Sequence, residues 1–197
     1  MKQTLLIFTM TFCFLSLSAQ KKQRRELGNF AMLTGLHQPL VLQGGNVAFN
    51  YTSPNGFTLE ASFGIFLDYK NVSSNAEKNR YKSIRTPFSY GIGLGYFYKG
   101  FSLNFEPKAT MFNIKDFNDQ EINYTTWSLG GGWYYNLFLW EGLFLQPSVR
   151  YWHKIGSTLP NGQFQMTDKF SEQFTHEARK PGANGWIYGV SAGYYFD

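Results

Sequence analysis

The sequence predicts an all-β chain closed into an eight-stranded antiparallel transmembrane β-barrel, with short turns at one end and long loops at the other. Three observations predict it. Long segments alternate apolar and polar residues with period two, the mark of strands that bury one face. Their connections alternate between tight turns and long polar loops, as in membrane-spanning barrels. The composition is 19% aromatic and 16% charged, with 20 glycines, where an ordinary soluble domain carries roughly 25% charged residues. Disordered chains lack aromatics and carry excess charge, and aromatics and glycine are poor helix formers. Disorder and a helix bundle are both disfavoured, and 197 residues suit one domain.

The first element is a targeting segment. Lys2 precedes an apolar run over 5–15, followed by Ser16-Leu17-Ser18-Ala19. A charged start, an apolar centre and small residues before a cut are the order of a secretory signal peptide, here 1–19. The run is well short of the roughly 20 apolar residues of a spanning helix. The single cysteine, Cys13, lies inside it, and the bulky Phe12 before it disfavours a lipoprotein cut there. Removal of the signal leaves no cysteine, which excludes disulfide frameworks and thiolate metal sites. Residues 20–27 contain Lys21-Lys22 and Arg24-Arg25. Such a cluster can meet anionic lipid or nucleic acid; the reading taken is a solvated basic periplasmic tail, with no nucleic-acid partner.

The barrel occupies 28–197. Residues 57–69 show the pattern best: Phe57, Leu59, Ala61, Phe63, Ile65, Leu67 and Tyr69 share one face, and Thr58, Glu60, Ser62, Gly64, Phe66 and Asp68 the other. Segments 45–53, 88–99, 101–112, 126–138, 143–155 and 186–197 repeat it. Strands this long are roughly twice the usual length, and about 9–11 residues span a bilayer. Tight turns fall at Pro54-Asn55-Gly56, Lys99-Gly100 and Leu139-Trp140-Glu141-Gly142, and long loops at 70–86, 115–123 and 156–184. An even barrel ending on the tight-turn side needs one more strand before Gly45. Residues 28–36 supply it, with a short outer loop at His37-Gln38-Pro39. Closure is required because an open edge in lipid leaves backbone groups unsatisfied.

Three strand ends share a pattern: Gly95-Tyr96-Phe97-Tyr98, Gly132-Trp133-Tyr134-Tyr135 and Gly193-Tyr194-Tyr195-Phe196. Each puts two aromatics outward beside the tight-turn rim. Tyr51, Tyr96, Tyr98, Trp133, Tyr135, Tyr194 and Phe196 therefore form an expected interfacial girdle. On this pattern, the rim asymmetry and the aromatic C-terminus, residues 28–197 resemble small eight-stranded outer-membrane barrels of the OmpA/OmpX-like type. The resemblance implies location in the outer membrane, contact with its lipid and lipopolysaccharide, and recognition by the barrel-insertion machinery. In that class a glycine usually stands five residues before the terminal aromatic; here that position is Ser191, before Phe196.

Period two also assigns the interior. Glu60, Asp68, Glu106, Lys108, Arg150 and Lys154 face inward, and an eight-stranded barrel is just wide enough for side chains to fill. Glu60, Glu106, Lys108 and Arg150 fall at comparable depth. They are expected to form a structural ion cluster that plugs the lumen, since isolated buried charges cost several kcal/mol; a gate or proton path, with narrow solute transport, is the alternative. Gly91, Gly93 and Gly95 imitate a phosphate loop but recur inside a strand with no helix to follow. They are read as room for Phe66, Phe97 and Phe112.

His37, His153 and His176 all map toward the long-loop end. Some outer-membrane barrels act on lipid A with a histidine and a serine near the outer rim. His153 with Ser157 is the corresponding catalytic pair here, although no compact His-x-Ser spacing appears. An interfacial histidine without a catalytic role is the preferred reading. No metal or cofactor is expected, because the histidines lack ligand spacing. Function would sit in the loops. Lys70, Lys78, Arg80, Lys82 and Arg85 face one acid, Glu77, within 70–86, and match either lipopolysaccharide phosphates or solvent. Residues 156–184 are read as a lid, a surface for a protein partner, or an extension of the hairpin. The leading function is a structural or surface-interaction protein; the alternatives are a lipid A-modifying enzyme and a narrow transporter.

Overall fold

In a computed structural model, residues 28–69, 72–179 and 185–196 are described. The signal and basic-tail assignments, and Lys70, lie outside them. Eight strands form the wall: β1 (Asn29–Gly35), β2 (Gly45–Thr52), β3 (Phe57–Asp68), β4 (Ser83–Tyr98), β5 (Phe101–Lys115), β6 (Glu121–Tyr135), β8 (Leu143–Ser157) and β11 (Trp186–Phe196). Each pairs antiparallel with its neighbour, and β11 pairs with both β8 and β1, so the sheet closes. The expected first strand is present, with Phe30 opposite Phe196 on one side and Tyr51 on the other. The Lys99-Gly100 turn has φ of 49° and 85°, the primed geometry that continues strand twist.

Strands β4, β5, β6 and β8 run 15 or 16 residues, beyond the expected segments. They rise above the rest of the wall at the long-loop end. There the expected loop 156–184 contains its own hairpin, β9 (Gln163–Thr167) and β10 (Gln173–Glu177). At the tight-turn end, β6 stops at Tyr135 rather than 138. A short β7 (Leu137–Trp140) turns back onto β8. Buried Asn136 causes the break: its side chain donates to the Tyr195 hydroxyl at 3.1 Å and accepts from Gln146 at 2.9 Å. Phe138 is thereby tucked against Phe144 and Tyr195. With Ala31, Leu33 and Ala48 they form an apolar floor.

The outer loop after β1 is a short helix, α1 (His37–Val41). β1 ends at Gly35, while β11 continues to Trp186 on one side and β3 to Asp68 on the other. This segment spans the resulting notch: Leu36 N–H donates to Val190 O at 2.9 Å, and Asp68 N–H to Leu42 O at 2.7 Å.

Two irregularities overturn period two locally. Phe66 has φ of 54°, rare for a bulky residue, and the β4–β5 register shifts between Arg85 and Ser89. Pro87 lies in that shift, where a residue without an N–H costs no ladder bond. The faces swap there: Phe66 is 74% exposed and Leu67 is buried. Phe66 therefore points out of the barrel and is not a lumen neighbour of the glycines. Asp68 likewise leaves the expected interior set and pairs across the strand with exposed Arg85 at 3.3 Å.

Candidate functional site

Below the notch the interior is a ladder of large and small side chains. Across one row, Asn50 faces Glu60, and Glu60 faces Gly93. A Cβ on Gly93 would lie 3.2 Å from Glu60 Cβ and 3.6 Å from Glu106 Cγ. Farther round, a Cβ on Gly130 would lie 2.7 Å from Trp152 Cδ1. The glycines thus make room for the two glutamates and the indole, while Phe97 and Phe112 fill the interior at other levels. Alternation of small and large residues is how narrow barrels fill their taper.

The four expected lumen charges do converge. The Tyr134 hydroxyl donates to Glu106, and Asn50 Nδ2 donates to Glu60 at 3.5 Å. Lys108 Nζ stands 4.6 Å from the centre of the Trp152 ring, and the Arg150 guanidinium 5.2 Å from it. Among the described residues no carboxylate lies within 4.0 Å of either cation. The cations are held by the π-face of one fully buried tryptophan, a contact worth about 2 kcal/mol or more once desolvated. Trp152 was not singled out by the sequence pattern, although its inward parity was readable. Of the central aromatics of the three strand-end motifs, Phe97 is buried inside as expected, while Tyr134 and Tyr195, which the sequence pattern did not single out, also line the interior at 4–5% exposure.

Above this layer are small side chains: Gly64 faces Ser89, Ser89 faces Thr110, and Thr110 faces Thr126. They leave a cavity of about 370 Å³. Among the described residues of the long loop only Arg179 lines it, and the hairpin packs on a cluster of its own. Ile84, Phe112, Ile114 and Tyr124 on the inner faces of β4–β6 pack with Leu159, Met166 and Ala178 of the 156–184 segment. Asp116 ties the hairpin down, accepting from the backbone N–H of Asn118, Gln120 and Thr167 at 2.8–2.9 Å. The signal for it was an aspartate opening a turn, where the carboxylate reaches N–H groups two and four residues on.

His176, expected near the rim, lies on β10 and is buried on the inner side of the hairpin. Its Nδ1 is bonded to the Tyr81 hydroxyl at 2.9 Å and its Nε2 to the Tyr124 hydroxyl at 3.0 Å. Burial first, then the nearby Arg179 and Lys154 cations, push its pKa down from 6.5 to about 4. An opened hairpin accepts a proton near pH 6.5 that the closed one refuses. Closure is therefore fully stable above that pH and weakens as pH falls toward 4, by at most about 1.4 kcal/mol per unit. Hydrogen exchange in β9–β10, corrected for intrinsic rates, should quicken between pH 7 and pH 5. In His176→Gln that acceleration should vanish; equal pH dependence in both proteins would refute the assignment.

His153 and Ser157 do not meet. His153 is exposed on the outer face of β8 opposite Leu129. A register shift then falls between Trp127 and Ser128, and Ser157 lies opposite fully buried Thr126. The Ser157 hydroxyl accepts from Leu159 N–H at 3.0 Å. The bulge puts the pair on opposite sides of the wall, so no nucleophile–base contact forms.

The basic loop is more neutral than its own acids imply. Lys82 and Lys115 bind Asp119 at 2.6 and 2.9 Å, and these bonds hold its carboxyl down at about 2. Arg85 pairs with Asp68, and Arg80 lies 5.5 Å from the Phe174 ring centre. Lys78 sits in the last turn of α2 (Asn75–Arg80), whose Ser74–Glu77 capping box also presents Glu77 to Arg179 at 2.8 Å. Exposed pairs of this kind set the local charge balance and add little to stability, because water screens them.

A closed ring of eight antiparallel strands, with polar side chains within and apolar ones without, defines the class of small β-barrels. No family model and no curated protein matches the chain. Among solved structures it is similar to the N-terminal β-barrel domain of Pseudomonas aeruginosa OprF, at 12% identity and a TM-score of 0.45, over 86% of this chain and 98% of that one. It is also similar to a major outer membrane protein from Thermus thermophilus, at 13% identity and a TM-score of 0.48, over 85% of this chain and 99% of that one.

Proposed function

We propose that this chain is an integral outer-membrane β-barrel with a plugged lumen, exported by a cleaved signal at 1–19, and that it acts without catalysis as a structural or surface-interaction protein through its long-loop end. The outer surface carries this reading. Met32, Phe49, Leu59, Ile92, Leu103 and Leu129, from six successive strands, are 37–57% exposed. Monomeric soluble proteins rarely expose apolar patches beyond a few hundred Å², whereas lipid accepts such a belt on every strand. The girdle residues lie at the tight-turn rim in ring contacts: Phe57 with Tyr96 at 5.7 Å, Phe101 with Tyr135 at 4.4 Å, and Tyr194 with Phe196 at 5.4 Å. Tyrosine and tryptophan favour that level of a bilayer.

The apolar floor, the charged layer and the hairpin packed on the inner faces of β4–β6 support a plug rather than a pore. The exposed tip of the hairpin, with Phe170 67% exposed, is the surface offered to a partner, and Lys78 is the basic-loop cation most open to lipopolysaccharide phosphate. Fractionation and bilayer recording test this together. The expected result is recovery in the outer membrane as a heat-modifiable band that gives no steady conductance in planar bilayers. A soluble monomer without detergent, or a reproducible open channel, would overturn it.

A further inference from the structure

We propose that the cavity above the charged layer is a binding site for a small organic anion, a carboxylate carried on an aromatic or short aliphatic body. Lys108, Arg150 and Trp152 form its floor, and Leu42, Leu67 and Phe112 are among its walls. The two interior carboxylates do not reach it: Glu60 and Glu106 lie beneath, bonded to Asn50 and Tyr134. At the mouth Arg179 is already matched to Glu77. Both glutamates still act on Lys108 and Arg150 through space, but no carboxylate among the described residues lies within ion-pair distance of either cation, and both face a chamber of mixed polar and apolar lining.

The donors on that floor are also unspent. Arg150 Nε and Trp152 Nε1 are buried with no hydrogen-bond partner in the protein, and a buried unmade bond to a charged group is among the costlier defects a fold can carry. A carboxylate above Trp152 would accept from Arg150 and Lys108 while both cations keep their contact with the indole face. Charge-assisted bonds of this kind are roughly twice as strong as neutral ones. The volume, about 370 Å³, falls in the range of small-molecule sites, and Leu42, Phe63, Leu67 and Phe112 supply apolar surface among the polar groups of the lining. An inorganic anion would leave the apolar part of the lining unused, and a neutral apolar molecule would leave the Arg150 and Lys108 donors unused.

The probe is 3-phenylpropionate, titrated calorimetrically into the full-length barrel in an uncharged detergent, with 3-phenylpropan-1-ol as its neutral counterpart. Saturable binding of the carboxylate is expected, with the alcohol at least tenfold weaker. Arg150→Gln and Lys108→Gln should each weaken the carboxylate at least tenfold while keeping heat-modifiable migration. Ile187→Trp, which fills the cavity from β11 opposite Arg150 while keeping both charges, should abolish binding. Should the charge variants fail to fold, Ile187→Trp decides. Equal binding of acid and alcohol, or unchanged binding in Ile187→Trp, would overturn the site. An open channel in bilayer recordings would instead sink the plug alone, so the two failures are distinguishable.

Discussion

Replacing Trp152 with alanine is expected to lower barrel stability by about 4 kcal/mol or more, the largest loss from any single interior substitution. Trp152 is 1% exposed, and removing a buried aromatic of this size costs about 3–5 kcal/mol because the surroundings relax only partly. Here the ring also neutralises in part the fields of Lys108 and Arg150, which lie 4.6 and 5.2 Å from its centre. Its loss leaves two neighbouring cations over an empty space. Total stabilities of single domains are about 5–15 kcal/mol, so this one change uses much of the margin. Urea titration in lipid vesicles, read by the heat-modifiable gel shift, measures it. Trp152→Phe retains a π-face and should recover at least half of the loss. A Trp152→Ala protein within about 1 kcal/mol of wild type would mean the cations are held some other way.

The second large effect is on the outside and depends on depth. Ile92 lies opposite Ala61 and is 52% exposed on the outer face of β4. Tyr98, three outward positions nearer the tight turn, is 60% exposed. If the belt faces hydrocarbon, Ile92→Arg should cost about 2–4 kcal/mol, and Tyr98→Arg about 0–1 kcal/mol, because an interfacial arginine keeps its hydration. The same vesicle titration compares them. On a water-facing sheet both substitutions would be nearly neutral, so a flat profile would refute embedding in a bilayer. The contrast separates a lipid surface from a sandwich face awaiting a second sheet.

Most of the wall was legible in the chain. Alternation in 57–65, 89–98 and 101–112 set the correct side for nearly every residue, because pleating makes side-chain direction a local property. Even the weak strand at 28–36 followed from topology, since closure needs a partner for β11. The interior charges at Glu60, Glu106, Lys108 and Arg150 were found by the same parity. Their partners were not. Trp152, Tyr134 and Asn50 come from different strands, and which of them meets a given charge depends on register and stagger. The loop cations were misjudged for the same reason: Asp119 and Asp68 lie outside the stretch whose charges were counted, yet reach Lys82 and Arg85 across neighbouring strands.

By itself, then, the sequence determined the strand count, the two faces, the asymmetry of the rims and the presence of charge inside. These depend on a two-residue repeat and on turn residues, both of which act over a few positions. The tertiary structure alone decided where the repeat breaks. Bulges at Phe66 and Pro87, and again before Ser157, sent Phe66 and Asp68 outward and separated Ser157 from His153. It also decided that the longest loop folds back as a hairpin that buries its own His176 against Tyr81 and Tyr124, and that a cavity stands above two cations. A bulge or a docked hairpin is stabilised by contacts among strands far apart in the chain, and no local periodicity carries that information.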